Sequence, residues 1–242
     1  MPNAGGLTRR NFVTGLAAAT IAFPRISPAV PSGAGSSQAA LWFNPPKHWK
    51  LEGSSLLCTA DPKTDFWRKT FYGYVTDNGH LYYRRVSGDF TTQVKVTGQY
   101  DDLYDQAGLI VRIDAENWMK CGVEFVNGQQ NMSIVYTRDF SNWATGRLPE
   151  NTSALWLKVV RKGPALDIFH SVDGTNFIES GVGYLGTNET VMVEPMCAAP
   201  RANASRCASA IGPCTRADGC ARTAPQRNRI RKYTFTPRGW LP

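Results

Sequence analysis

The stretch Asp105–Phe125, DQAGLIVRIDAENWMKCGVEF, alternates with a period of two through both of its halves. That pattern confines it to extended chain, where successive side chains point to opposite sides. One face collects Ala107, Leu109, Val111 and Ile113, then Met119, Cys121, Val123 and Phe125. The other collects Gln106, Gly108, Ile110 and Arg112, then Trp118, Lys120, Gly122 and Glu124. With Ile113–Asn117 as the turn, the two halves form a hairpin whose first face is core. The second face sets an acid, two bases, an amide and an indole side by side.

The same alternation runs through the chain from Trp42 onward. Phe90, Thr92, Val94 and Val96 share a side; so do Met132, Ile134 and Tyr136, and so do Leu155, Leu157 and Val159, followed by Leu166 and Ile168. Asn78-Gly79, Asn127-Gly128, Lys162-Gly163-Pro164 and Asp173-Gly174 punctuate these runs as turns. About nine or ten strands with turns every ~8–14 residues predict an all-β fold: one antiparallel jelly-roll β-sandwich domain with a wet face. The 242 residues, 42% hydrophobic, suffice for such a core.

The net charge of +8 does not make the body of the protein basic. Residues 197–242 hold nine Lys/Arg and one Asp, and the rest of the chain balances at eighteen of each sign. A nucleic-acid partner is therefore not expected. At the N-terminus, Thr8-Arg9-Arg10-Asn11-Phe12-Val13 precedes a short apolar run ending at Phe23, then a Pro/Ser/Gly/Ala stretch. The arginine pair resembles a twin-arginine export signal, and the run is too short to span a bilayer. Residues 1–40 are read as signal peptide and linker, with export to the periplasm or cell exterior and no membrane anchor after its removal.

Several segments resemble one known family. They are TDFWRKTFYGYVTDNGH (Thr64–His80), GDF (Gly88–Phe90), YDQAGLIVRID (Tyr104–Asp114) and WMKCGVEF (Trp118–Phe125). TRDFSNW (Thr137–Trp143), SVDGTNF (Ser171–Phe177) and PMCAAP (Pro195–Pro200) continue the series. Together they are similar to the regulation-of-enolase-like proteins, the domain of unknown function 1349. The resemblance covers Leu41–Pro200 and implies a concanavalin A-like lectin/glucanase sandwich. It carries no assigned activity. Its fold is shared with lectins, glucanases and accessory domains of xylan-degrading enzymes, and its enolase label belongs to an intracellular context at odds with export.

The polar face has two readings. Cross-strand ion pairs on a solvated surface account for Arg112, Lys120 and Glu124. Trp118 fits that reading less well, because an exposed indole leaves apolar area in water. With Gly108 and Gly122 opening a trough, the second reading is a carbohydrate site. Trp118 would stack on the ring, and Lys120, Glu124, Arg112 and Gln106 would fix the hydroxyls. Ser133 and Thr137 extend this face; Tyr104, Asp105 and His80 are candidates for its rim. The cluster Phe66, Trp67, Phe71 and Tyr72 reads as core or loop packing.

Catalysis finds little support. Glucanases of this fold place carboxylates two apart on one strand, as in E-x-D-x-x-E, whereas Glu124 stands alone between Gly122 and Val126. There is no G-x-S-x-G, no phosphate loop and no zinc spacing among His48, His80 and His170. No cofactor is expected; Asp101, Asp102 and Asp105 leave room only for a loose calcium site without the closing glutamate of a calcium hand. The reading is a non-catalytic, lectin-like carbohydrate-binding protein. A glycan hydrolase or lyase using Glu124 is one alternative, and a protein-interaction module is another.

After Pro200 the alternation collapses into a chain rich in Ala, Arg and Cys. Residues 201–242 admit three readings: a disulfide-linked appendage using Cys197, Cys207, Cys214 and Cys220, a basic disordered arm, or a shifted reading frame. The last would leave the sandwich short of a strand. Tyr233 and Phe235 are the late candidates for a closing strand.

Overall fold

Asn127 and Gly128 both take positive φ, 53° and 78°, the backbone of a two-residue hairpin whose twist matches its strands. They join β9 (Asn117–Val126) to β10 (Gln129–Arg138), with Val126 opposite Gln129. The expected Ile113–Asn117 turn likewise joins β8 (Gln106–Arg112) to β9, closed by Ile113 N–H donating to Asn117 O at 2.9 Å. These three strands are the middle of the first sheet. The computed structural model describes residues 39–71, 73–201 and 232–237. The expected export segment lies outside them.

Among the described residues sixteen strands form two large sheets and a small ribbon. Sheet 1 runs β1 (Leu41–Phe43), β6 (His80–Ser87), β15 (Thr190–Ala198), β8, β9, β10, β11 (Phe140–Arg147). Sheet 2 runs β14 (Ile178–Tyr184), β13 (Ala165–Ser171), β12 (Leu155–Lys162), β7 (Phe90–Gly98), β16 (Lys232–Pro237), β3 (Ser55–Thr59), β2 (His48–Glu52). The ribbon pairs β4 (Phe66–Arg68) with β5 (Val75–Asp77). All strand pairs are antiparallel. The fold is an all-β, jelly-roll-like sandwich.

The alternating apolar faces meet between the sheets. Leu109, Val111, Met119 and Cys121 from sheet 1 share a core cluster with Val94, Val96, Leu155, Leu157 and Ile168 from sheet 2. Each such side chain contributes ~1.5–3 kcal/mol by leaving water. No helix of the described residues is long and apolar enough to cross a membrane.

Two expectations change. The strands outnumber the nine or ten read from alternation, because three-residue strands such as β1, β4 and β5 are too short to show a period. Asn78-Gly79 is a corner rather than a hairpin turn, since β5 pairs with β4 while β6 pairs with β1 and β15.

The sandwich also continues past Pro200. Strand β16 is inserted between β3 and β7, with Tyr233 opposite Cys58 on one side and Gly98 on the other. Tyr233 and Phe235 are fully buried. The strand whose loss the shifted-frame reading implies is therefore present; residues 202–231, with Cys207, Cys214 and Cys220, lie outside the described residues.

Candidate functional site

The outer face of sheet 1 is not open to solvent over its whole width, because the β4–β5 ribbon lies across it. Arg112 donates to both carboxylate oxygens of Asp77 on β5, each at 2.7 Å, and Arg68 N–H donates to Ser141 Oγ at 2.9 Å. Beneath the ribbon Phe66, Leu81, Ile110, Trp118, Val135 and Met196 form a second apolar cluster. Trp118 is only 1% exposed, with its ring centroid 6.2 Å from that of Phe66. It packs as a core residue and offers no surface for stacking on a sugar. The apolar area that made it a candidate is hidden by a ribbon some fifty residues earlier in the chain.

Arg112, Lys120, Gln106 and Glu124 do share this face, but as buried groups rather than a solvated ion-pair surface. Lys120 Nζ donates to Phe66 O and Gln106 Oε1 at 2.7 Å and to Asp65 Oδ1 at 3.2 Å. Those three bonds use the three hydrogens of the ammonium. Gln106 Nε2 donates to Asp65 Oδ1 at 3.1 Å and to Tyr104 O at 3.2 Å. Asp65 and Asp77, absent from the sequence candidates, are thus the counter-ions of the face.

Beyond the ribbon the face opens at Glu124. Ser133 Oγ donates to Glu124 Oε2 at 2.6 Å, and Trp143 Nε1 donates to the same oxygen at 2.8 Å. Oε1 has no hydrogen-bond partner among the described residues. Burial pushes the Glu124 carboxyl above its ordinary range, against the pull of Lys120. Gly108 and Gly122 face each other across β8 and β9 and leave the strand surface bare. Gln106, Lys120, Gly122, Glu124, Ser133 and Met196 line a small pit there. Tyr104, at φ 70°, brings its ring edge-on to Trp143 at 6.2 Å. Trp143 is 41% exposed and, through its bonds to Glu124 and Ser133, stands beside the pit with Tyr104 against it.

Two rim candidates turn inward. Asp105 is fully buried, and its Oδ2 accepts from the N–H groups of Asp101 and Asp102 at 3.0 and 2.9 Å. It closes its own loop, and no cluster of three or more metal-ligating side chains forms among the described residues. His80 is also buried. Its Nε2 accepts from Asp61 N–H at 3.0 Å, so its Nδ1 carries the proton and donates to Asn44 O at 2.7 Å. Burial lowers its pKa and favours the neutral ring.

A second buried acid lies on β15. Glu194 pairs with Arg84 Nε at 2.7 Å, yet burial outweighs the arginine and pushes its carboxyl from 4.5 up to about 7. A raised carboxyl holds its proton more tightly in the folded chain than in the unfolded one. Its contribution to stability is therefore intact below pH ~4.5 and is lost as pH rises toward 7, by ~3 kcal/mol. The melting temperature of Glu194→Gln, taken relative to wild type, is expected to rise between pH 4.5 and 7.5. A difference that stays flat across that range would remove Glu194 as the titrating group.

Fold and site together define a two-sheet sandwich with a half-covered polar face and a carboxylate-based pit. The chain belongs to the family described as Protein of unknown function (DUF1349), which matches residues 42–210. Regulation of enolase protein 1 of Saccharomyces cerevisiae is 38% identical over 159 residues, spanning 66% of this chain and 80% of that protein. The crystal structure of a functionally unknown protein from Saccharomyces cerevisiae superposes with TM-score 0.69 at 32% identity, covering 84% of this chain and 94% of its own. The GH43 protein BlXynB of Bacillus licheniformis shares the sandwich at TM-score 0.55 and 15% identity, over 35% of its own length.

Proposed function

We propose that this chain is an exported, non-catalytic carbohydrate-binding protein. The sugar lies on the open half of the polar face, its ring against Trp143 and Tyr104, with a hydroxyl donating to Glu124 Oε1. The observation that carries this reading is the state of Glu124: a carboxylate 7% exposed with one oxygen held by Ser133 and Trp143 and the other unpartnered at a pit. The donors around it are already engaged: Lys120 by three acceptors, Gln106 by two, Trp143 and Ser133 by Glu124. To the ionised carboxylate a ligand supplies hydrogens, as the hydroxyls of a neutral sugar do, and an exposed indole beside that carboxylate suits the sugar's apolar ring face.

Titration of the full chain against neutral oligosaccharides, following an array screen, tests this. Trp143→Ala is expected to weaken binding at least ~10-fold, equivalent to ~1.4 kcal/mol, and Trp143→Phe, which keeps an aromatic face, to weaken it less, both in chains shown folded by circular dichroism. Equal affinity in wild type and Trp143→Ala would remove the site from this face. The burial that raises the Glu124 carboxyl also supports a rival, a hydrolase or lyase with Glu124 as general acid. Turnover that vanishes in Glu124→Gln while binding persists would decide for that rival. Silence across the glycan panel would leave a protein-interaction module.

A further inference from the structure

Cys58 on β3 and Cys197 on β15 come from opposite sheets and from positions 139 residues apart, yet their sulfurs lie 3.4 Å from each other inside the core. We propose that this pair is a modification site, oxidised to a disulfide that joins the two layers of the sandwich. Stacked sheets are held ~10 Å apart by side chains of both, and here the two side chains that meet are thiols. A disulfide needs the sulfurs at ~2.05 Å, an approach of ~1.4 Å along a contact already made.

The oxidant is a small-molecule disulfide of the glutathione class. One cysteine thiolate attacks it, forming a mixed disulfide and releasing one thiolate. The second cysteine thiolate attacks the protein-bound sulfur, forming the Cys58–Cys197 bond and releasing the other. Two protein thiols are oxidised, one small disulfide is reduced to two thiols, and the two protons pass to solvent or to the departing thiolates. Burial pushes the Cys197 thiol well up, and Cys58 beside it acts in the same direction. The exchange therefore belongs to the stage of folding at which both thiols still meet water, and the finished bond is shielded from reductants. Cys121 is an internal control: it is buried in the same core, its thiol pushed up to about 12.

The test refolds the full chain from reducing denaturant in a glutathione/glutathione disulfide buffer, alkylates free thiols and maps peptides without reduction. The expected product is a linked peptide pair containing Cys58 and Cys197, two hydrogens lighter than the separate thiols, with Cys121 alkylated. The oxidised chain should melt ~5–15 °C above the reduced chain, and that difference should disappear in Cys197→Ala. Recovery of both cysteines as alkylated thiols from a refolded chain, or linkage of either to another cysteine, would overturn the proposal.

Discussion

Gly108→Ala is expected to lower the melting temperature by ~6–12 °C. A methyl at Gly108 would lie 1.9 Å from Cys121 O and 2.7 Å from Gly122 Cα. A methyl at Gly122 would lie 2.3 Å from Ala107 O and 2.6 Å from Gly108 Cα. These obstacles are backbone atoms of the neighbouring strand, so no rotamer change removes the clash. The β8–β9 pairing has to move, and β8 is held on its other side by β15. Overpacking of this kind costs ~3 kcal/mol or more, a large share of the ~5–15 kcal/mol that holds a domain together, and each kcal/mol shifts a chain of this size by ~2–4 °C. Thermal unfolding followed by circular dichroism checks it. A Gly108→Ala midpoint within the error of wild type would mean that the two strands are further apart than described.

Removing the chain after Pro200 is expected to abolish cooperative folding altogether. The loss takes out β16, which bonds to β3 on one side and β7 on the other. It deletes Tyr233 and Phe235, whose rings fill the core between the sheets. It also leaves two facing strand edges unpaired, a template for aggregation. Phe235→Ala isolates the packing part of this effect, at ~3–5 kcal/mol, with the strand retained. A truncated chain that unfolds cooperatively at the wild-type midpoint would show that β16 contributes nothing to the sandwich. For the same reason, ligand screens require the chain through Pro237.

The parts legible in the sequence are those with a local cause. The Asp105–Phe125 hairpin, its core face and its polar face follow from period two, and Asn127-Gly128 from the φ values that only a few residues tolerate. What covers the polar face has no local cause. The ribbon carrying Asp65 and Asp77 comes from three-residue strands with no detectable period, and its effect on Arg112 and Lys120 acts across 35 and 55 residues. Trp118 and Trp143 both face outward from sheet 1. Trp118 lies on central β9 beneath the ribbon and is sealed, whereas Trp143 lies on edge strand β11 and stays open. His80 and Asp105 carry side chains typical of sites, but each hydrogen-bonds backbone groups near a strand end, a use that residue type alone does not distinguish.

The order of strands in sheet 2 also sets a clock. Strands β3 and β7 are made early, but the strand that fits between them follows Gly98 by more than 130 residues. At a synthesis rate of ~5–20 residues per second, the gap stays unfilled for ~7–27 s after β7 is complete. Through that interval Val94, Val96 and Leu56 lack the neighbour that β16 later supplies. Docking of β16 is then the event that turns a partly formed sheet into a finished one, so sheet 2 is expected to close only after residues 232–237 have been made.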